Sequence, residues 1–160
     1  MPGLSNQSGA NGYTHHWIIN WDDAFLVAGT TDSVAGAVTD TYALPAGSHI
    51  RHATAYLETA FNDSGGGDEL NFDLGVTGGD ADGIFAAAAT PIHADQTEIT
   101  YLVGAGADMI STNTGPILTA AGSLTINVYG DITTGTAYST SELTAGKLHL
   151  FLDVATPPSV

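Results

Sequence analysis

Six histidines and seventeen acidic side chains are the residues of this 160-residue chain that could do chemistry. Histidine offers a proton acceptor near neutral pH and a metal ligand. His15 and His16 form the one adjacent pair. On a strand neighbouring rings point to opposite faces, which makes the two a poor chelating pair and leaves only a metal site assembled from distant histidines. His49 and His52 separate in the same way if the strand that holds them is continuous. The acidic loops "NDSGGGDE", residues 62–69, and "GGDADG", residues 78–83, raise a second chemistry, because hard cations such as Ca2+ take several oxygen ligands. The EF-hand spacing fails: counted from Asp80, the fifth position is Ile84. A weak cation site would have to be assembled by the fold, with Asp63, Asp68, Asp80 and Asp82 as the ligands; solvated turn residues are the simpler reading, and no cofactor is expected.

Hydrolysis by paired carboxylates needs two acids held about 5 to 9 Å apart across a groove, and no motif places such a pair. The sequence contains no G-x-S-x-G elbow, P-loop or dinucleotide fingerprint, and Ser5 and Ser8 stand without a nearby base. The expectation is a protein that is not an enzyme. Cysteine is absent, which excludes disulfides, thiolate metal sites and a thiol nucleophile. Arg51 and Lys147 are the whole complement of permanent cations, and the formal net charge is −15. Such a surface repels phosphate backbones, so direct nucleic-acid binding is not expected. It suits a highly soluble protein, or one adapted to saline surroundings where salt screens self-repulsion. Protonation of the imidazoles around pH 5 to 6 would offset part of this charge, which makes pH-sensitive association an expectation worth testing.

The elements that would position these residues are strands. An apolar fraction of 43% and a slightly positive mean hydropathy argue for a folded domain in spite of the charge. From residue 14 onward apolar residues recur with period two. "HHWIINW", "AFLVA", "HIRHATAYLETAF", "ELNFDLGV", "TEITYLV", "SLTINVYG" and "KLHLFLDV" are the apolar segments. In the third, Ala53, Ala55, Leu57 and Phe61 share a face. In the fourth, Leu70, Phe72, Leu74 and Val76 point inward while Asn71 and Asp73 point outward. In the last, Leu148, Leu150, Leu152 and Val154 oppose His149, Phe151 and Asp153. Only "DGIFAAAATP" has the composition of a short helix. Gly- and Asp-rich turns separate the segments. The phrase "LPAGSHI" from Leu44 returns as "LTAAGSLTINV" from Leu118 and "LTAGKLHLFLDV" from Leu143, each read as a Gly turn that enters a strand. The unequal spacing of the copies excludes a solenoid repeat.

These features predict an all-β chain: an antiparallel β-sandwich of jelly-roll type with an extended N-terminal arm. Residues 1–12 form the arm and residues 13–160 a single domain. The arm is rich in Gly, Ser and Asn, and a neighbouring subunit is its natural support. It lacks the basic start and apolar stretch of a secretory signal, and no run of about 18 apolar residues occurs. Neither export nor membrane insertion is expected.

The succession "WIIN", "DTYALPAGSHIRHATAYLETAFND", "LNFDLGVTGGDADGIFAAAA", "LTAAGSLTINV" and "LTAGKLHLFLDVA" resembles the small capsid decoration, cement or head-stabilising proteins encoded beside the capsid genes of tailed bacteriophages. The resemblance spans residues 39–155 and rests on shared phrases. It implies a virion protein on the outer capsid surface, made in the host cytoplasm, that binds the major capsid protein as a homo-oligomer, with a trimer favoured. Tyr13, His15, His16, Trp17 and Trp21 are the candidate contact residues for the capsid or a neighbouring subunit. A tail- or fibre-associated virion component is the alternative within the same class. A secreted carbohydrate-binding or adhesion module is the alternative outside it, and would present a planar strip of aromatic rings.

Overall fold

A computed structural model of the chain describes residues 13–27, 37–63, 70–76, 82–86, 92, 101–103, 121–129 and 143–156. The N-terminal arm, Asp68 and Asp80 lie outside these. The chain is all-β, with seven strands and one short helix among the described residues: β1 (His15–Asn20), α1 (Ala24–Val27), β2 (Ala37–Leu44), β3 (His49–Asp63), β4 (Asn71–Val76), β5 (Tyr101–Val103), β6 (Gly122–Tyr129) and β7 (Leu143–Ala155). They form two antiparallel sheets, ordered β1-β7-β3-β5 and β2-β6-β4. Among the described residues no helix is long and apolar enough to cross a membrane.

The period-two alternation sets the faces. In β1, His15, Trp17 and Ile19 turn inward and His16, Ile18 and Asn20 outward. In β7, Leu148, Leu150, Leu152 and Val154 are buried. In β3, Ala53, Ala55, Leu57 and Phe61 are buried as the spacing predicts. These side chains and those of the second sheet, chiefly Phe72, Leu74, Leu124, Ile126 and Val128, share one apolar cluster. Burying a residue of this size removes about 1.5 to 3 kcal/mol of unfavourable hydration, which gives the two sheets their reason to stay together.

The repeated turn phrase behaves in two ways. In the first copy the Ser48 amide donates to the Pro45 carbonyl at 3.2 Å and Gly47 has φ 82°. This is the geometry of a type II turn, and it carries the chain from β2 in one sheet to β3 in the other within four residues. In the second copy Gly122 opens β6. In the third, Gly146 lies inside β7 instead of before it. Its φ of 146° and the ring of fully buried Phe61, which occupies the space a Cβ would need, explain the glycine by close approach rather than by a turn.

Two further expectations are corrected. A helical turn forms at "AFLV", where Leu26 is fully buried, and residues 82–86, the described part of "DGIFAAAATP", are not helical. Phe85 of the latter bridges Leu74 in antiparallel fashion, and the Phe85 and Ile84 amides both donate to the Leu74 carbonyl. Ile84 and Phe85 are an apolar pair buried in the core beside β4. Second, all six residues of β4 are buried, including Asn71 and Asp73. Asp73 stands directly opposite Asn127 of β6, whose amide donates to it at 2.6 Å. Polar side chains satisfied by each other tolerate burial that an unpaired group would resist.

Candidate functional site

The outward face of the four-stranded sheet collects the side chains that could recognise a partner. Lys147, His149, Phe151 and Asp153 project there from β7. His149 lies between Ile18 of β1 and Tyr56 of β3, and Phe151 between His16 and Thr54. The β3–β7 register slips between Leu57 and Thr59. A bulge of this kind re-aims the extra side chain, and Glu58 reaches both neighbours on β7. Its carboxylate accepts from Lys147 Nζ at 3.0 Å and from His149 Nε2 at 2.6 Å.

The second nitrogen of His149, Nδ1, lies 2.8 Å from His16 Nε2. The ring centroids are 5.0 Å apart with planes inclined by 16°. A bond this short across that separation means two rings edge to edge in nearly one plane. Phe151 stacks over His16 at 4.4 Å and 10°. With both rings uncharged the proton order is fixed: Glu58 accepts from His149 Nε2, so His149 Nδ1 is an acceptor and His16 Nε2 donates to it. The hydrogen bond between the rings can be kept with one added proton. Two would set N–H against N–H and break the bond.

Beside this relay, Tyr13 packs on Phe151 at 5.5 Å and on His52 at 5.8 Å, and its hydroxyl lies 2.8 Å from Thr54 Oγ1. Tyr56 tilts against His149 at 5.6 Å. Arg51 pairs with Asp153 at 2.6 Å. Hydrogen bonds from Lys147 and then His149 hold the Glu58 carboxyl below the usual range. Burial, and next the neighbouring His149 and Lys147, lower His16. Among the described residues no group of three or more His, Cys, Asp or Glu side chains is placed to hold a metal ion. Both nitrogens of His149 are already engaged, by Glu58 and by His16.

The five candidate contact residues divide three ways. Tyr13 and His16 belong to this face. His15 turns inward, edge-on to Tyr42 at 5.8 Å, and Trp17 is a core residue with 2% exposure. Trp21 is 38% exposed just beyond β1, where its amide donates to the Gly146 carbonyl at 3.1 Å. Of the four acids considered as cation ligands, Asp63 closes β3 and Asp82 lies exposed in a turn. Sequence reasoning did not single out Glu58 and Tyr56, and it named Arg51 and Lys147 only for their charge. The alternation of "KLHLFLDV" groups His149 with Phe151, but nothing local says that β7 lies between β1 and β3.

Burial also lowers His15. The unfolded chain then binds protons at the ordinary 6.5 while the folded chain resists them, so stability is complete above that pH and declines below it. The thermal midpoint is expected to fall between pH 7 and pH 5, and to fall less in His15→Gln. A midpoint equally pH-dependent in wild type and variant contradicts this role for His15.

Comparison with known proteins finds no protein-family model, curated protein or solved structure that matches the chain.

Proposed function

We propose that the chain is a virion structural protein that binds the outside of a viral capsid as a decoration or cement protein and braces the shell. The observation that carries this reading is the nesting of the strand pairs. β1 pairs with β7, β2 with β6, β3 with β5, and β4 with the Phe85 bridge that follows it. Among the described strands the first meets the last and each later one meets the next one in, as in an antiparallel ribbon. Rolling that ribbon brings β7 beside β3 and β6 beside β4, the order expected of a jelly roll with Phe85 in the place of the remaining strand. A rigid scaffold of this kind, highly acidic and with a structured outward face, suits a protein that works by contact. The resemblance of its phrases to phage head-stabilising proteins points the same way.

Binding that is selective for the assembled shell stabilises it by mass action. A net charge of −15 keeps a decorated particle dispersed and suits its exterior better than its DNA-filled interior. The site's rings pack on one another rather than forming a free planar strip: Phe151 and His16 each spend one face on the other, and Tyr13 packs on Phe151. The test is co-sedimentation of the purified chain with shells of the virus that encodes it, followed by imaging. Copies arrayed on the head support the proposal; copies confined to the tail move the protein to the fibre-associated class, and no binding to either particle part removes it from both.

A further inference from the structure

His149 is held as a metal-ligating histidine is held. The Glu58 carboxylate accepts its Nε2 proton at 2.6 Å, which leaves the Nδ1 lone pair aimed at His16 Nε2, 2.8 Å away. A carboxylate behind one ring nitrogen fixes the tautomer and raises the basicity of the other nitrogen, the arrangement that usually stands behind a histidine on a metal. His16 is able to match it. Its Nε2 carries the proton of this one bond, and among the described residues nothing is hydrogen-bonded to its Nδ1. The proton therefore has a second place to go, since a neutral imidazole holds it on either nitrogen. Once it is there, two lone pairs, one from β1 and one from β7, face the same small space.

We propose that His16 and His149 form a two-histidine site for a divalent transition ion of tetragonal preference, Cu2+ or Ni2+, with Glu58 as the group that orients His149. The separation of the nitrogens selects the metal class. Two nitrogens at about 2.0 Å from one ion lie about 2.8 Å apart at a right angle and about 3.3 Å apart at the tetrahedral angle. The observed 2.8 Å fits the right angle, so Cu2+ and Ni2+ rank above Zn2+. Imidazole ligands rank all three above Ca2+ and Mg2+, which want oxygen. To receive the ion the rings must pivot in their common plane, so that the lone pairs meet beside the line that joins them. Phe151 lies nearly parallel to both, at 10° to His16 and 9° to His149, and an in-plane pivot slides along its ring without parting the stack. The Glu58 side chain is 41% exposed and follows His149 as it turns. His16 is partly exposed, so solvent reaches the pair and water completes the shell. Two protein ligands and the nearby charge of Lys147, the other partner of Glu58, make this an exchangeable site rather than a closed structural one. The ion ties β1, whose one neighbour among the described strands is β7, to the middle of its sheet.

The experiment is calorimetric titration of the full chain with CuCl2, NiCl2 and ZnCl2 at neutral pH in a non-coordinating buffer. The expected result is Cu2+ bound about tenfold or more tightly than Zn2+ and not displaced by a large excess of CaCl2. His16→Gln and His149→Gln each weaken Cu2+ binding about tenfold or more, and Glu58→Gln weakens it about tenfold. His52→Gln, on the same face but hydrogen-bonded to Thr54, binds as wild type does. NiCl2 raises the thermal midpoint of the wild type and leaves that of the two weakened histidine variants unmoved. Should a variant fail to fold by circular dichroism, nuclear magnetic resonance of the wild type reads the site directly: substoichiometric Cu2+ broadens the amide signals next to His16 and His149 before all others. Cu2+ affinity that is equal in wild type and a folded His16→Gln or His149→Gln variant, first broadening elsewhere in the chain, or displacement by Ca2+ overturns the proposal. The site stands apart from the decoration reading, which co-sedimentation with shells tests separately.

Discussion

Gly146→Ala is expected to lower the stability of the fold by about 3 kcal/mol or more, read as a shift of the urea midpoint at constant slope. Two effects add. The backbone at this position has φ 146°, which an L side chain rarely adopts, and the new methyl group would fall within the ring of Phe61. That ring has 1% exposure and is enclosed in the core, so it cannot swing away into solvent. The strand would have to move instead, and with it the Gly146 carbonyl that receives the Trp21 amide and the adjoining Lys147 of the outward face. Trimming the obstacle separates packing from backbone strain. Phe61→Leu alone destabilises by leaving space, yet Phe61→Leu/Gly146→Ala should be more stable than the sum of the single changes by about 1 kcal/mol or more. Strict additivity would show that the ring is not the reason for the glycine.

Asn127→Asp is the second large effect, and it changes almost no volume. It replaces the amide that donates to Asp73 at 2.6 Å with another carboxyl, at a place where Asp73 is 4% and Asn127 8% exposed. Two carboxyls this close and this buried cannot both ionise, so one must take up a proton. The expected loss at pH 7 is about 3 kcal/mol. The folded variant binds a proton that the unfolded chain does not, so its stability relative to wild type recovers as the pH falls toward 4. The exchange Asp73→Asn/Asn127→Asp restores donor and acceptor in reversed order and should regain most of the loss at pH 7. Failure of the exchange, together with a pH-independent deficit, would show that the pair does not act as the structure places it.

The alternation of β1, β3 and β7 was legible residue by residue, because a strand's two faces follow from local sequence alone. "HHWIIN" sends His15 and His16 opposite ways, and "KLHLFLDV" separates its leucines from His149 and Phe151, as observed. What was not legible depends on partners distant in the chain. Gly146 looked like the turn glycine of Gly47 because both close an L-x-A-G phrase, and the ring of Phe61 beside Gly146 distinguishes them. Asp73 looked solvated because its donor lies 54 positions away. "AFLV" became a helical turn because Leu26 is drawn into the core, a tertiary preference that four residues cannot announce. The candidate contact set, two of whose five members turn inward, met the same limit. Tyr13 and His16 reach the face, but Glu58 joins them only through a slip of register between β3 and β7, which no window of sequence contains.

The nested pairing also governs when this protein can exist during its own synthesis. β7 is the last of the described strands along the chain and sits between β1 and β3, the first and third of them. Until the ribosome has released it, the 15-residue β3 and the 6-residue β1 have no common neighbour, and their ladder groups stay open to wrong partners. Contacts of such long sequence separation make for slow folding. A nascent chain stalled before residue 143 is therefore expected to be sticky and protease-sensitive, because loss of β7 separates β1 from β3 and leaves only the short β3–β5 pairing of this layer.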